Sequence, residues 1–163
     1  MSGVAVEIID RGLDEAMASI QRLTSPELRY ELMDIVGREA QGQTRHRIMS
    51  EKTAPDGTEW PKTFRGTSIL HLTGRLWESI DYRATMDQVH IGSALPYARI
   101  HQFGGTIKAK NGKALRFSSG GDTYMRRSVY IPARPYLGLS RQNVDDLNDT
   151  ITAFIDSFLE EGL

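Results

Sequence analysis

Catalysis or metal binding in this sequence would have to start from His46, His71, His90 and His101, and their spacing argues against both. A metal-binding pair on one helix face needs two histidines about four residues apart, and no such pair occurs. Ser79, Ser119 and Ser128 lack the glycine-flanked setting of a nucleophilic serine, and no phosphate-cradling glycine-rich loop precedes a helix. Gly120 and Gly121 follow serines and read as a flexible turn. Without cysteine there is no thiol nucleophile, thiolate ligand or disulfide. No enzymatic activity, metal or cofactor is therefore expected. The cations are the remaining chemistry. Lys108, Lys110, Lys113, Arg116, Arg126, Arg127 and Arg134 face only Asp122 within residues 104–134, a local charge of +6. Such a stretch can hold phosphates, meet an acidic protein surface, or lie solvated along a sheet edge.

The whole-chain charge of −1 hides this segregation. Residues 1–40 carry −4, residues 41–103 carry +2, and residues 135–163 carry −5. Opposed blocks of this kind can steer a head-to-tail contact between copies or turn a basic surface toward DNA. With 163 residues, 39% of them hydrophobic and 25% charged, the chain can bury one core and is read as one domain spanning residues 1–163. No basic start leads into a long apolar run, so neither a signal peptide nor a membrane span is expected. The lack of cysteine fits synthesis in a reducing cytoplasm.

The elements that must position these residues follow from periodicity. Leu13, Met17 and Ile20 make a first helical stripe. Ser25 as cap, Pro26 as first residue and Glu27 in the first turn then open a longer helix, with Leu28, Leu32, Ile35 and Val36 on one face. Arg45, His46 and Arg47 suit the dipole at its C-terminal end. Pro55, Asp56 and Gly57 make a turn, and Trp60 is expected to plug the edge of the core. Thr73 is placed as the cap of a short helix bearing Leu76, Trp77 and Ile80. Residues 81–85 and Val89 to Ile91 form a hairpin. Pro96 then begins a short helix ended by Gly104 and Gly105, with Tyr97, Ile100 and Phe103 expected to pack beneath a sheet. Asn111 and Gly112 predict a hairpin joining Ile107 to Leu115 and Phe117. Residues 124–131 return as a strand, two prolines stiffen IPARPYLGLS, and a last amphipathic helix starts near Arg141.

Four motifs occur in order across residues 54–140: PDGTEW, LHLTGRLWESI, VHIGSALPYARIHQFGG and VYIPARPYLGLS. Together they closely resemble the virion-morphogenesis or tail-completion proteins of Mu-like and related long-tailed phages. The resemblance implies an α+β fold, an antiparallel sheet packed against long N- and C-terminal helices. It also implies a non-enzymatic virion component, made in the host cytoplasm and assembled as a ring at the head–tail junction or tail end, beside connector and tail proteins. The alternative is a nucleic-acid-binding module using residues 104–134, with Phe117, Tyr124 and Tyr130 between the cations.

Four expectations follow. Residues 79–131 form one antiparallel sheet under the helices of residues 26–48 and 141–160. Residues 106–124 order fully only on assembly, since their polar hairpin buries little. The basic segment meets an acidic surface, either the −5 tail of another copy or a connector protein. Arg134, held between Ala133 and Pro135, is expected to meet a carboxylate.

Overall fold

Ser25 begins the first long element as anticipated: its hydroxyl accepts from the Leu28 N–H at 3.2 Å, and Pro26 occupies the first turn. The computed structural model describes residues 20–22, 24–63, 69, 70, 73–110, 114–119 and 121–160. Helix α1 runs Pro26–His46 and continues into a wider π turn, Arg47–Glu51, which ends at Lys52 in the left-handed conformation. A tight loop with a bridge between Thr53 and Glu59 follows, and it presents Trp60 to the core. Short helix α2 is Arg75–Glu78. Strands β1, Ile80–Ala84, and β2, Val89–Ser93, pair as an antiparallel hairpin. Helix α3 is Ala98–Phe103. Strands β3 (Gly105–Lys108), β4 (Leu115–Ser119), β5 (Asp122–Arg126) and β6 (Ser128–Ile131) come next, and helix α4, Arg141–Glu160, closes the order. The fold is α+β. The helix expected around Leu13 and Met17 falls outside the described residues, apart from the helical residues 20–22.

Among the described residues, three separate antiparallel pairs, β1–β2, β3–β6 and β4–β5, replace the expected single sheet. Helix α1 covers β1 and β2, whereas α4 packs on α1. The expected hairpin between Ile107 and Leu115 is also corrected. Ile107 pairs with Val129, and Phe117 pairs with Tyr124 in a stacked ring contact at 5.7 Å. Gly121, at φ +91°, turns β4 into β5, and these local pairs form between short legs that close little loop entropy. The Ala109 N–H to Arg127 carbonyl bond of 2.8 Å joins the two pairs end to end. The result is one long β-ribbon. One leg is almost continuous from Asp122 to Ile131, about 33 Å at the usual strand rise; β3 and β4 make up the other leg. The turn expected at Asn111 and Gly112 lies outside the described residues.

Gly104 sets the root of the ribbon. Its φ is +68°, and a Cβ there would lie 2.7 Å from the Ala133 nitrogen, so a side chain would push the two legs apart. Gly74, at φ +75°, is the cap of α2 in place of Thr73.

The core joins Ile48, Ala54, Trp60, Leu76, Ile80, Ala98 and Tyr136. Its second layer lies where α1 meets β1. Gly37 faces the ring of Tyr82, whose hydroxyl donates to Asp34 at 2.9 Å. A Cβ on Gly37 would fall 2.3 Å from that ring. Alanine at Gly37 therefore forfeits a helix-propensity gain of about 1 kcal/mol and should cost roughly 1–2 kcal/mol net through overpacking. Gly42→Ala, on the same helix with open space around it, should stabilise by up to about 1 kcal/mol. Urea midpoints moving in opposite directions are the expected outcome. Stabilisation by both would show that Tyr82 gives way at no cost.

Candidate interaction surface

The root of the ribbon is riveted by the segment of residues 132–138, whose prolines deny it a place in a sheet. Its polar backbone is satisfied almost entirely by side chains. Gln102 on α3 accepts from the Tyr136 and Leu137 N–H groups at 2.9 and 3.0 Å. The Trp60 indole donates to the Pro135 carbonyl at 2.9 Å, and the Tyr136 hydroxyl donates to Ala98 at 3.1 Å. Arg47, 1% exposed, donates to the carbonyls of Tyr136 (3.1 Å) and Gly138 (2.6 Å) and to the Asn143 side chain. Arg134 reaches back across the chain to the carbonyls of Pro61 (2.8 Å) and Lys62 (3.2 Å). These are backbone acceptors of the same chain, where a carboxylate was expected. Arg134 is 5% exposed, and burial lowers the pKa of its guanidinium below the ordinary value. It is a positioning residue at the root, apart from the surface cations.

Lys108, Lys110, Arg116, Arg126 and Arg127 are exposed on the ribbon, and Lys113 lies outside the described residues. Lys108 stands opposite Ser128, Arg116 opposite Met125 and Arg126 opposite Leu115, so these cations lie in nearby rows halfway along the arm, Arg126 on the face of Leu115 and Phe117 and Arg116 on the other face. None of the five forms an ion pair with a described residue. Large apolar side chains stand exposed among them: Met125 at 62% and Tyr130 at 70% on the ribbon, and Phe103 at 70% at its root. Tyr97 and Phe103 thus lie at the surface, correcting the expectation that they pack beneath a sheet. In a helix of only six residues it is Ala98 that turns inward, against Tyr136, and Phe103 rests under the Arg99 guanidinium at 5.8 Å.

Between the arm and the body runs a cleft of about 1040 Å³. Ile107, Leu115, Phe117 and Val129 line it from the arm, and Leu76 and Tyr97 from the body. Arg116 and Arg126 edge it. Aromatic, methionine and arginine side chains exposed together are the composition of a protein-binding surface.

His101, on the body side of this cleft, is half-buried, and its Nδ1 has no partner among the described residues. Burial first, and the Arg134 charge second, push the imidazole below its ordinary value of 6.5. As pH falls below about 6.5 the unfolded chain gains a proton that the folded chain resists, so stability present above that range is lost toward the lower, folded value. His101→Gln should flatten this part of the acid limb in urea titrations. An unchanged limb would assign the loss to other groups. The other described histidines, His46 at the end of α1 and His90 on β2, are exposed on separate elements. His71 lies outside the described residues.

The profile of the phage virion morphogenesis family matches residues 6–156. The chain belongs to that family. A relative named for capsid assembly, protein G of Escherichia phage Mu, is 33% identical over 94 residues. That alignment covers 58% of this chain and 51% of the relative, so the chain matches about half the length of its curated relative. No solved structure matches the chain. Among the described residues, no helix of this virion morphogenesis protein is long and apolar enough to cross a membrane.

Arg47 went unrecognised in the sequence as a structural residue. It continues the buried stripe of Gly37, Ala40 and Thr44, and that phase was the available signal.

Proposed function

We propose that this protein is a structural component of the phage particle, acting by shape and contact rather than by catalysis. It assembles as a homo-oligomeric ring at the head–tail junction or tail end. Connector and tail proteins are its neighbours. Family membership supports the role in building the particle, and the name of the Mu relative agrees with it. One observation carries the contact reading: a 10-residue leg, Asp122 to Ile131, projects cations and large apolar side chains that the described parts of the chain leave uncovered. A lone two-stranded ribbon is marginal in water, so a partner that covers it also stabilises it. Protection of residues 106–124 against hydrogen exchange should accordingly rise on assembly.

The test is Lys108→Glu, Lys110→Glu and Lys113→Glu together. Exposed substitutions cost under about 0.5 kcal/mol each, so the purified subunit should remain folded. The phage carrying it should fail to join heads to tails, with partial recovery at conditions that screen charge. Normal numbers of infectious particles at ordinary and raised salt would leave the arm a solvated edge.

The same cations beside Phe117, Tyr124 and Tyr130 favour a second reading, contact with nucleic acid. Filter binding across a salt series separates the two. Tight, steeply salt-dependent binding by the isolated subunit would favour the nucleic-acid module.

A further inference from the structure

We propose that the cleft between arm and body is the docking site for helix α4 of a second copy of this chain, which makes the contact head-to-tail. The inference rests on the ring reading and names its two faces. Charge complementarity selects the occupant. The arm carries five described cations against Asp122; α4 carries Asp145, Asp146, Asp149, Asp156 and Glu160 against Arg141. Within one chain, no ion pair among the described residues includes any of these groups.

The geometry of α4 presents the acids outward. At 100° per residue, Asp145, Asp149, Asp156 and Glu160 fall within about 60° of one another, opposite the stripe of Leu147, Ile151, Phe154 and Phe158. That stripe faces α1, because α4 packs on α1 with the Gln43 amide donating to the Asn143 carbonyl at 3.3 Å and Arg22 lying 5.7 Å from the Phe158 ring. These two contacts lie near opposite ends of α4 and make the helix pair antiparallel. The acid face therefore points away from its own body, and Leu159 stands beside it, 40% exposed.

A leucine flanked by Asp156 and Glu160 matches in chemistry an apolar slot edged by Arg116 and Arg126. Two arms cannot substitute for this contact, since both are basic, and that repulsion selects the unlike pairing. An arm on one copy and a helix on the next is a heterologous contact, which closes into a ring when its rotation allows.

The cysteine-free chain makes the test direct. Arg126→Cys with Asp156→Cys, built into phage particles and treated with a short bismaleimide, should give a ladder of dimers, trimers and higher species on a denaturing gel. Either single variant should give none. Particles that contain the double variant but yield no ladder overturn this docking site and leave the ring reading standing. Particles of the unmutated phage that lack the protein altogether overturn the ring reading, and this inference with it. In parallel, Arg116→Glu with Arg126→Glu, and Asp156→Arg with Glu160→Arg, should each lower the titre, and the four changes together should recover it about tenfold over either pair. A combined variant no better than either pair overturns the proposal.

Discussion

Arg47→Met is expected to cost about 3–5 kcal/mol, enough to leave much of the protein unfolded at growth temperature. The guanidinium is buried and serves three acceptors at once: the carbonyls of Tyr136 and Gly138 and the Asn143 side chain. Methionine restores the packing of the stem but none of the donors, and each acceptor stranded in the interior costs about 1–3 kcal/mol. The effect should spread, because these contacts tie α1 to the segment behind the arm and to the first turn of α4. Arg47→Lys should recover little, since a single ammonium cannot reproduce the planar fork. Thermal and urea unfolding check this. A methionine variant within about 1 kcal/mol of the parent would mean that water or relaxed backbone takes over the acceptors.

Trp60→Ala should cost a similar amount, about 3–5 kcal/mol. The ring is 4% exposed in the central cluster, and its N–H satisfies the Pro135 carbonyl at 2.9 Å. Trp60→Phe separates the two contributions. It keeps most of the apolar volume and loses the hydrogen bond, so a cost of about 1–2 kcal/mol is expected. Trp77→Ala should be milder, because Trp77 is only partly buried at the edge of the same cluster. Equal losses at Trp60 and Trp77 would contradict this division. In the sequence both tryptophans are equally plausible core residues. What distinguishes them is the bridge between Thr53 and Glu59, which swings Trp60 under the segment of residues 132–138.

The two arginines at the root show where reading the chain stops. Arg47 follows Arg45 and His46 at a helix end, where cations suit the dipole without any special role. Arg134 sits between two prolines that fix its backbone, but its acceptors are 73 and 72 positions away. Nothing local distinguishes a guanidinium that reaches a carboxylate from one that reaches a pair of carbonyls. The surface cations were different. Their sign, number and crowding into residues 104–134 are visible in the sequence, whereas their gathering across the middle of one ribbon required the register of β3 with β6 and of β4 with β5.

Elements whose signals are short-range were legible along the chain. Ser25 and Pro26 start α1, Gly104 ends α3, the β1–β2 hairpin forms between neighbouring runs, and the stripe of Leu147, Ile151 and Phe154 makes α4 amphipathic. Caps, prolines, positive-φ glycines and residue period act within a few positions, so their energies are settled before the chain folds on itself. The motifs of residues 54–140 carried the family for the same reason: they are written in order along the chain. Long-range packing set the pairing of Ile107 with Val129, the division of the expected sheet into three pairs, the burial of Arg47 and Arg134, and the exposure of Phe103. Each of these depends on which of several locally acceptable partners gains the most burial or the most satisfied hydrogen bonds. That competition is resolved between residues as far as 96 positions apart in the case of Arg47 and Asn143.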